Sequence, residues 1–165
     1  MTVPFITEGT MSSATDRWGT PQALFDRLDG MFHFEVDVCA DDTNHKCPVY
    51  FTKEIDGLKQ DWTRFGSVFM NPPYGKGMDD WMRKIYTTAR AGSLCVCVIP
   101  CRTDTRWWEF VMRSSEVWLI KGRLHYNDGE QGAPFPSCVV IYRPEDMELD
   151  PPVFHWVDQS LDVIL

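Results

Sequence analysis

The run Leu94–Ile99, Leu-Cys-Val-Cys-Val-Ile, is almost continuously apolar and constrains this chain more than any other segment. A strand without polar alternation has both faces in a dry interior, as happens in a parallel sheet covered by helices on each side. Phe34–Val38 alternates as a short strand, and Pro48–Thr52 reads as a weaker one. Ser67–Met70, Val117–Ile120 and Cys138–Tyr142 are short apolar strands. Helical patterns lie between them. Thr20-Pro21 is a hydroxyl cap followed by proline at the first helical position, with Leu24, Leu28 and Met31/Phe32 at helical spacing. Asp79 or Asp80 opens a second helix, on which Trp81, Ile85 and Ala89 share a face, and Gly92 stops it. Thr103 caps a third helix carrying Trp107, Phe110 and Val111. Alternation of this kind predicts an α/β fold with a mostly parallel open sheet. The last two strands are joined without a helix, which adds a hairpin and one antiparallel edge strand. Residues 1–15 read as a flexible tail, 16–144 as the folded domain, and 145–165, acidic and carrying Pro151 and Pro152, as an irregular extension.

The chain has 165 residues, 44% hydrophobic and 24% charged, which suits one packed core and excludes wholesale disorder. Its apolar runs are too short to span a membrane. The N-terminal MTVPFITEGTMSSATDRWG lacks the basic start and apolar core of a signal peptide. The six cysteines are therefore expected as reduced thiols in the cytoplasm. Cys95 and Cys97 alternate on a strand as small buried hydrophobes, Cys101 does not complete a zinc spacing, and the four histidines lie far apart, so no metal site is expected. The net charge of −8 argues against a phosphate-rich partner, but the charge is segregated. Trp81–His125 holds eight bases against three acids, whereas the stretch from Glu145 onward holds six acids and no base.

In an open α/β sheet, ligands sit at the carboxyl ends of strands. The residues there are Asp37, Glu54/Asp56, Asp61, Asn71-Pro72-Pro73-Tyr74, Pro100-Cys101-Arg102 and Gly122-Arg123. No phosphate-cradling glycine loop of the P-loop type and no G-x-S-x-G elbow occurs. Several carboxylates with no such loop suit sugar hydroxyls and a cationic ligand better than a pyrophosphate. Asn71-Pro72-Pro73-Tyr74 is the sharpest signal. Two prolines fix the backbone and leave the Pro72 carbonyl free to accept, and the Asn71 side-chain oxygen is a second acceptor. Two acceptors aimed at one spot would hold an –NH₂ group by both protons and turn its lone pair outward. Tyr74 adds an aromatic face for a planar ring. A strand-closing turn is the bland alternative for the same four residues.

Asn-Pro-Pro-Tyr after a strand resembles the catalytic motif of S-adenosylmethionine-dependent methyltransferases that modify amino groups of adenine, cytosine or glutamine. The stretch from Asp16 to about Arg143 resembles the small phage-type DNA adenine-N6-methyltransferases. The matching pieces are Asp16-Arg17-Trp18-Gly19-Thr20-Pro21, Asp37-Val38-Cys39-Ala40, Asp56-Gly57-Leu58 with Asp61-Trp62, Asn71–Tyr74, and Gly122-Arg123-Leu124-His125-Tyr126. The resemblance implies a Rossmann-like methyltransferase fold and S-adenosylmethionine as cofactor. It implies that Trp18, Thr20 and Pro21 close over the methionine end and that Asp37, Cys39 and Ala40 stand at the cofactor motif of the first strand, although no glycine follows Asp37 as the common pattern has it. Glu54 or Asp56 would take the ribose hydroxyls, and Asp61 and Trp62 would flank the cofactor's adenine. Asn71, Pro72, Pro73 and Tyr74 would bind and activate the target base.

The expected partner is double-stranded DNA, in the cytoplasm of a bacterial host, in the setting of phage or restriction-modification DNA methylation. Arg102, Arg106 and Arg123 are candidates for phosphate contact, and Trp107 could stack on nucleic acid, although one of the adjacent Trp107 and Trp108 should face the core. Tyr126 or Phe135 would offer an aromatic edge to the flipped base. A chain of this size has little room for a separate recognition domain, so loops 102–108 and 123–135, or a second subunit, would read the DNA, with the protein a monomer or homodimer. The competing readings are a methyltransferase acting on protein glutamine or RNA, and a silent module that binds cofactor or nucleic acid.

Overall fold

The computed structural model describes residues 18–147 and 151–165; the expected tail of residues 1–15, together with Asp16 and Arg17, lies outside them. Six strands form one sheet: β1 (Val36–Asp37), β2 (Ser67–Met70), β3 (Leu94–Pro100), β4 (Glu116–Ile120), β5 (Ser137–Tyr142) and β6 (Val153–Val157), in the order β1-β2-β3-β5-β4-β6. The pairs β1/β2, β2/β3 and β4/β6 are parallel, whereas β5 runs antiparallel to both β3 and β4. The result is a mixed α/β fold with a mostly parallel sheet.

Among the described residues three α-helices cover the sheet: α1 (Gln22–Phe32), α2 (Met78–Arg90) and the short α3 (Trp108–Val111). Successive strand residues point to opposite faces, and two cores result. On one face Val68, Met70, Cys95, Cys97, Ile99, Cys138 and Val140 pack against Met82, Ile85 and Ala89 of α2 and Phe110 of α3. On the other, Phe69, Val96, Val98, Val139 and Ile141 pack against Leu24, Phe25, Leu28 and Phe32 of α1. Leu94–Ile99 is apolar throughout because each of its faces meets one of these cores.

Several expectations need correction. The antiparallel strand is not at the edge: β5 lies between β3 and β4, and all six of its residues are buried. Its unbroken apolar sequence carries the same information as β3, since a strand buried on both faces belongs inside a sheet. The acidic C-terminal segment is not irregular, because Val153–Val157 pairs in parallel with β4. One of its acids serves the turn that follows: Asp158 Oδ1 accepts from the Ser160 and Asp162 amides at 2.8 and 3.1 Å. Thr20 does not cap α1. Pro21 is the cap residue, and the Gln22 amide donates instead to Asp128 Oδ1 at 3.1 Å. α2 starts from Gly77 in the left-handed region (φ 95), with Asp79 and Asp80 in its first turn, where acids favour the helix dipole. Thr103 caps no helix either; turns precede α3, which begins only at Trp108. Pro48–Thr52 contributes a single bridge, Asp37 to Tyr50, in place of a strand.

Candidate active site

The carboxyl ends of β1, β2 and β3 lie side by side because these strands are parallel. Asp37 ends β1, and Asn71 follows β2 directly. In front of them opens a cavity of about 480 Å³, within the range of roughly 300–1,000 Å³ usual for small-molecule sites. Trp18, Thr20, Asp37, Cys39, Ala40, Glu54, Asp56, Asn71, Pro72 and Pro73 all line it. Four separate segments of the chain thus converge on one space.

Asp37 is buried, with 3% exposure. Its Oδ1 accepts from the Cys39 amide at 3.3 Å and its Oδ2 from the Lys46 amide at 3.0 Å. Burial outweighs these two donors and pushes the carboxyl up to about 7. The Cys39 thiol is pushed up to about 12, first by burial and then by the charge of Asp37. Asp56 holds a left-handed backbone (φ 58), and its carboxylate meets Lys59 Nζ at 3.1 Å. Non-glycine residues are uncommon in that region and are held there only by surrounding structure. Here the Asp56 amide donates to the Thr52 carbonyl at 3.0 Å. Glu54 is exposed.

The Asn71 amide is oriented by three partners. Its Nδ2 donates to the Trp18 carbonyl and, at 2.9 Å, to Thr20 Oγ1, while its Oδ1 accepts from the Tyr74 hydroxyl at 2.7 Å. Both N–H protons are consumed, and Oδ1 keeps one lone pair beyond the bond from Tyr74. Thr20 therefore serves Asn71, which explains why it does not cap the helix. The Tyr74 hydroxyl is raised well above its usual range, chiefly by burial, and so stays protonated as a donor.

Tyr74 belongs to a group of four rings. Its centroid lies 5.6 Å from Phe135 and 6.1 Å from Tyr126, both near-perpendicular. Trp18 approaches the same two rings edge-on at 5.1 and 5.6 Å. Tyr126 Oη lies 2.9 Å from Ser137 Oγ at the start of β5. Sequence reading proposed Trp18, Tyr74, Tyr126 and Phe135 from separate motifs, and the fold brings them into one cluster beside Asn71.

Other candidates fall elsewhere. Trp62 is 1% exposed and donates from Nε1 to the Gly57 carbonyl at 2.8 Å. Asp61 is exposed, accepts from Thr63, and is held below the usual carboxylate range by those bonds. Neither lines the cavity; Trp81, stacked on Trp62 at 6.0 Å, does. Pro21 borders a separate, smaller pocket together with Leu124 and Asp128. Trp107 and Trp108 are both buried at 7%, which corrects the expectation that one ring would be left for nucleic acid. The turns before α3 let both rings reach the core, which a regular helix at adjacent positions does not allow. Arg102, Arg106 and Arg123 are exposed, and Arg106 is paired with Asp79 at 3.2 Å.

Lining residues that sequence reading missed include Lys46, Phe51, Lys53 and Trp81. Phe51 and Lys46 flank the Asp37 backbone and carboxylate: the Phe51 amide donates to the Asp37 carbonyl at 2.9 Å. Trp81 could have been found from the α2 pattern, since an aromatic one turn into a helix that follows Asn-Pro-Pro-Tyr sits close to that motif. Among the described residues, no cluster of three or more His, Cys, Asp or Glu side chains could hold a metal ion, and no helix is long and apolar enough to cross a membrane.

An open, mostly parallel sheet with this cavity and an oriented Asn-Pro-Pro-Tyr at its carboxyl edge defines an α/β protein with a small-molecule site against an aromatic cluster. The sequence profile of a family described as "DNA N-6-adenine-methyltransferase (Dam)" matches residues 7–148, and the chain belongs to that family of enzymes. The chain is similar to the DNA N-6-adenine-methyltransferase of Haemophilus phage HP1, 26% identical over 146 residues, covering 82% of this chain and 83% of that protein. It is also similar to the protein of the same description from Escherichia phage T1, 23% identical over 127 residues, covering 75% of this chain and 53% of that one. A third relative is the putative methyltransferase YfdM of Escherichia coli, 37% identical over 65 residues, covering 36% of this chain and 71% of YfdM.

Proposed function

We propose that the protein transfers a methyl group from S-adenosylmethionine to the N6 amino group of adenine in double-stranded DNA, on a Rossmann-like methyltransferase fold. The observation that carries this reading is the Asn71 amide, fixed by three hydrogen bonds with one Oδ1 lone pair uncommitted, in the lining of a cavity that also holds Asp37 and Asp56. The donor set fits the cofactor: carboxylates for hydroxyls and an ammonium, planar faces at Trp81 and Phe51, and no loop for a pyrophosphate. Asp56 suits the ribose better than Glu54, because its backbone is fixed and Glu54 is exposed. Trp18 and Thr20 stand toward the methionine end, with Asp37, Cys39 and Ala40 along β1. The cofactor, when bound, supplies an electrophilic methyl group on a sulfonium.

The protein's part is positioning. The remaining lone pair of Asn71 Oδ1 and the Pro72 carbonyl accept the two N–H bonds of the amino group. This keeps both protons in place and leaves the nitrogen lone pair to face the methyl carbon. The Tyr74 hydroxyl, protonated and donating to Oδ1, stops the amide from rotating. Because Asn71 Oδ1 and the Pro72 carbonyl would hold the amino protons, no strong base would be required before attack on the electrophilic methyl, and the surplus proton would pass to solvent along one of those two hydrogen bonds. The target adenine must leave the duplex stack to reach this point, at a cost of a few kcal/mol, which the ring cluster around Tyr74 offsets. Arg102, Arg106 and Arg123 stand where strands β3 and β4 end and contact phosphates. The protein acts in the cytoplasm of a bacterial host, as a monomer or homodimer.

The test is tritium transfer from labelled cofactor to duplex DNA, RNA and protein in parallel, with wild type and Asn71→Ala. Label on DNA adenine that vanishes in the variant is the expected result. Label on RNA or on glutamine would replace the DNA reading, and cofactor binding without transfer to any of them would leave a silent binding module.

A further inference from the structure

Residues 18–20 and the loop Leu124–Gly129 are far apart in sequence, yet they clasp each other. Asn127 Oδ1 accepts from the Gly19 amide at 2.8 Å, and the Asn127 amide donates to the Gly19 carbonyl at 2.7 Å. One residue thus satisfies both backbone groups of the other. The next residue, Asp128, takes the Gln22 amide at the start of α1. Asn127 and Asp128 both hold left-handed backbone, φ 58 and 51. Two consecutive non-glycine residues in that region are uncommon, and the surrounding contacts must hold them there. Gly19 is the complement of this arrangement, because a Cβ there would lie 2.6 Å from Asn127 Oδ1.

The clasped segment is the one that orients Asn71: the Trp18 carbonyl and Thr20 Oγ1 flank Gly19 and take both Asn71 N–H protons. We infer that Asn127 is a positioning residue, which through Gly19 fixes Trp18 and Thr20 and through them the direction of the Asn71 amide. This rests on the role proposed for Asn71. It ties the loop carrying Tyr126 and leading to Phe135 to the cofactor side of the cavity, so that a base entering against the loop meets an amide already aimed.

Asn127→Gly keeps the left-handed backbone available and removes the side-chain acceptor. We expect kcat for DNA methylation to fall roughly tenfold or more, since small misplacements of reacting groups are costly, with the melting temperature close to wild type and the cofactor KM changing less than kcat. Asn127→Asp, which retains an acceptor and tolerates the backbone, should restore most of the rate. Gly19→Ala should reproduce the loss by forcing the Asn127 amide aside, and Gly19→Ala with Asn127→Gly should be no worse than either alone. Independently of activity, hydrogen exchange at the Gly19 amide should quicken in Asn127→Gly. In an Asn71→Ala background, Asn127→Gly should cost nothing more, whereas a general structural defect would add its full loss. A wild-type kcat in Asn127→Gly, or full additivity with Asn71→Ala, overturns the inference while leaving the proposed function standing. Undiminished turnover in Asn71→Ala alone overturns the proposed function and this inference with it.

Discussion

Asp37 gives the sharpest physical test of the site, because its carboxyl is buried against only two amide donors. Burial raises it from 3.8 to about 7. The folded chain therefore keeps this proton to higher pH than the unfolded chain does. The contribution of Asp37 to stability is fully present below about pH 4 and is lost as the pH rises through about 7. One pKa unit corresponds to about 1.4 kcal/mol. Between about pH 5.5 and about pH 8.5 wild type should lose about 2 kcal/mol of unfolding free energy through this one group. Asp37→Asn removes the titration but keeps the shape. Its amide oxygen still accepts one N–H while its nitrogen faces the other, a penalty that does not change with pH. The informative quantity is thus the slope of stability against pH, not the offset at any one pH.

Urea unfolding under reducing conditions across that range, on both proteins, measures the slope. The two curves should converge or cross as pH rises, by about 2 kcal/mol over the range. Parallel curves would refute the reasoning, because they would mean that Asp37 is already ionised throughout and that its donors outweigh its burial. The same linkage is visible on binding. If a ligand ammonium reaches Asp37, calorimetry with S-adenosylhomocysteine near neutral pH should release about half a proton. Buffers of different ionisation heat detect that release, and it should disappear in Asp37→Asn.

Asn71→Ala should lower the methylation rate by roughly 10²-fold or more, as for the loss of one preorganised polar contact, with cofactor affinity nearly unchanged by calorimetry; Asn71→Asp should be milder because a carboxylate still accepts. Tyr74→Ala removes a ring and the hydroxyl that locks Asn71, and should weaken retention of a flipped base by about 1–3 kcal/mol, seen as a smaller fluorescence rise from 2-aminopurine at the target position. Arg102→Ala should reduce the slope of log affinity against log salt by about one unit, if the residue contacts a phosphate. Arg106→Ala should reduce it less, because Asp79 already engages that side chain, and Arg27→Ala on the outer part of α1 should leave it unchanged.

The parts of the fold that were legible in the sequence are those decided by local burial. β2 was expected at Ser67–Met70 and is found there, and β3 and β4 extend their expected spans by one residue. Each consists of apolar residues bounded by turn formers, so no distant contact is needed to define it. β6 was missed because Val-Phe-His-Trp-Val leaves Val153, Phe154 and Trp156 exposed, follows two prolines, and sits in an acidic segment. What makes it a strand is the open edge of β4, a neighbour more than thirty residues earlier in the chain. The placement of β5 inside the sheet depends on pairing as well. Adjacency in sequence gave the β4/β5 hairpin, but not the β3/β5 register that buries all six residues of β5.

The site divides along the same line. Asp37 and Asn71 were legible because a strand's carboxyl end places its own next residue, whatever the rest of the chain does. Thr20 was read as a helix cap, since Thr-Pro before a helix satisfies a local rule. In the structure a distant amide, that of Asn71, takes its hydroxyl, and a distant carboxylate, that of Asp128, takes over the capping. Trp62 and Trp81 show the converse. Both are tryptophans near the cavity, and only the stacking of one behind the other, with the Trp62 indole N–H tied to Gly57, decides which of them lines it. Local rules therefore locate the strand ends that line the cavity. The groups that orient the Asn71 amide come from segments brought up by the folded sheet, so substitutions at Thr20, and at Asn127 as inferred above, separate correct placement of Asn71 from its mere presence.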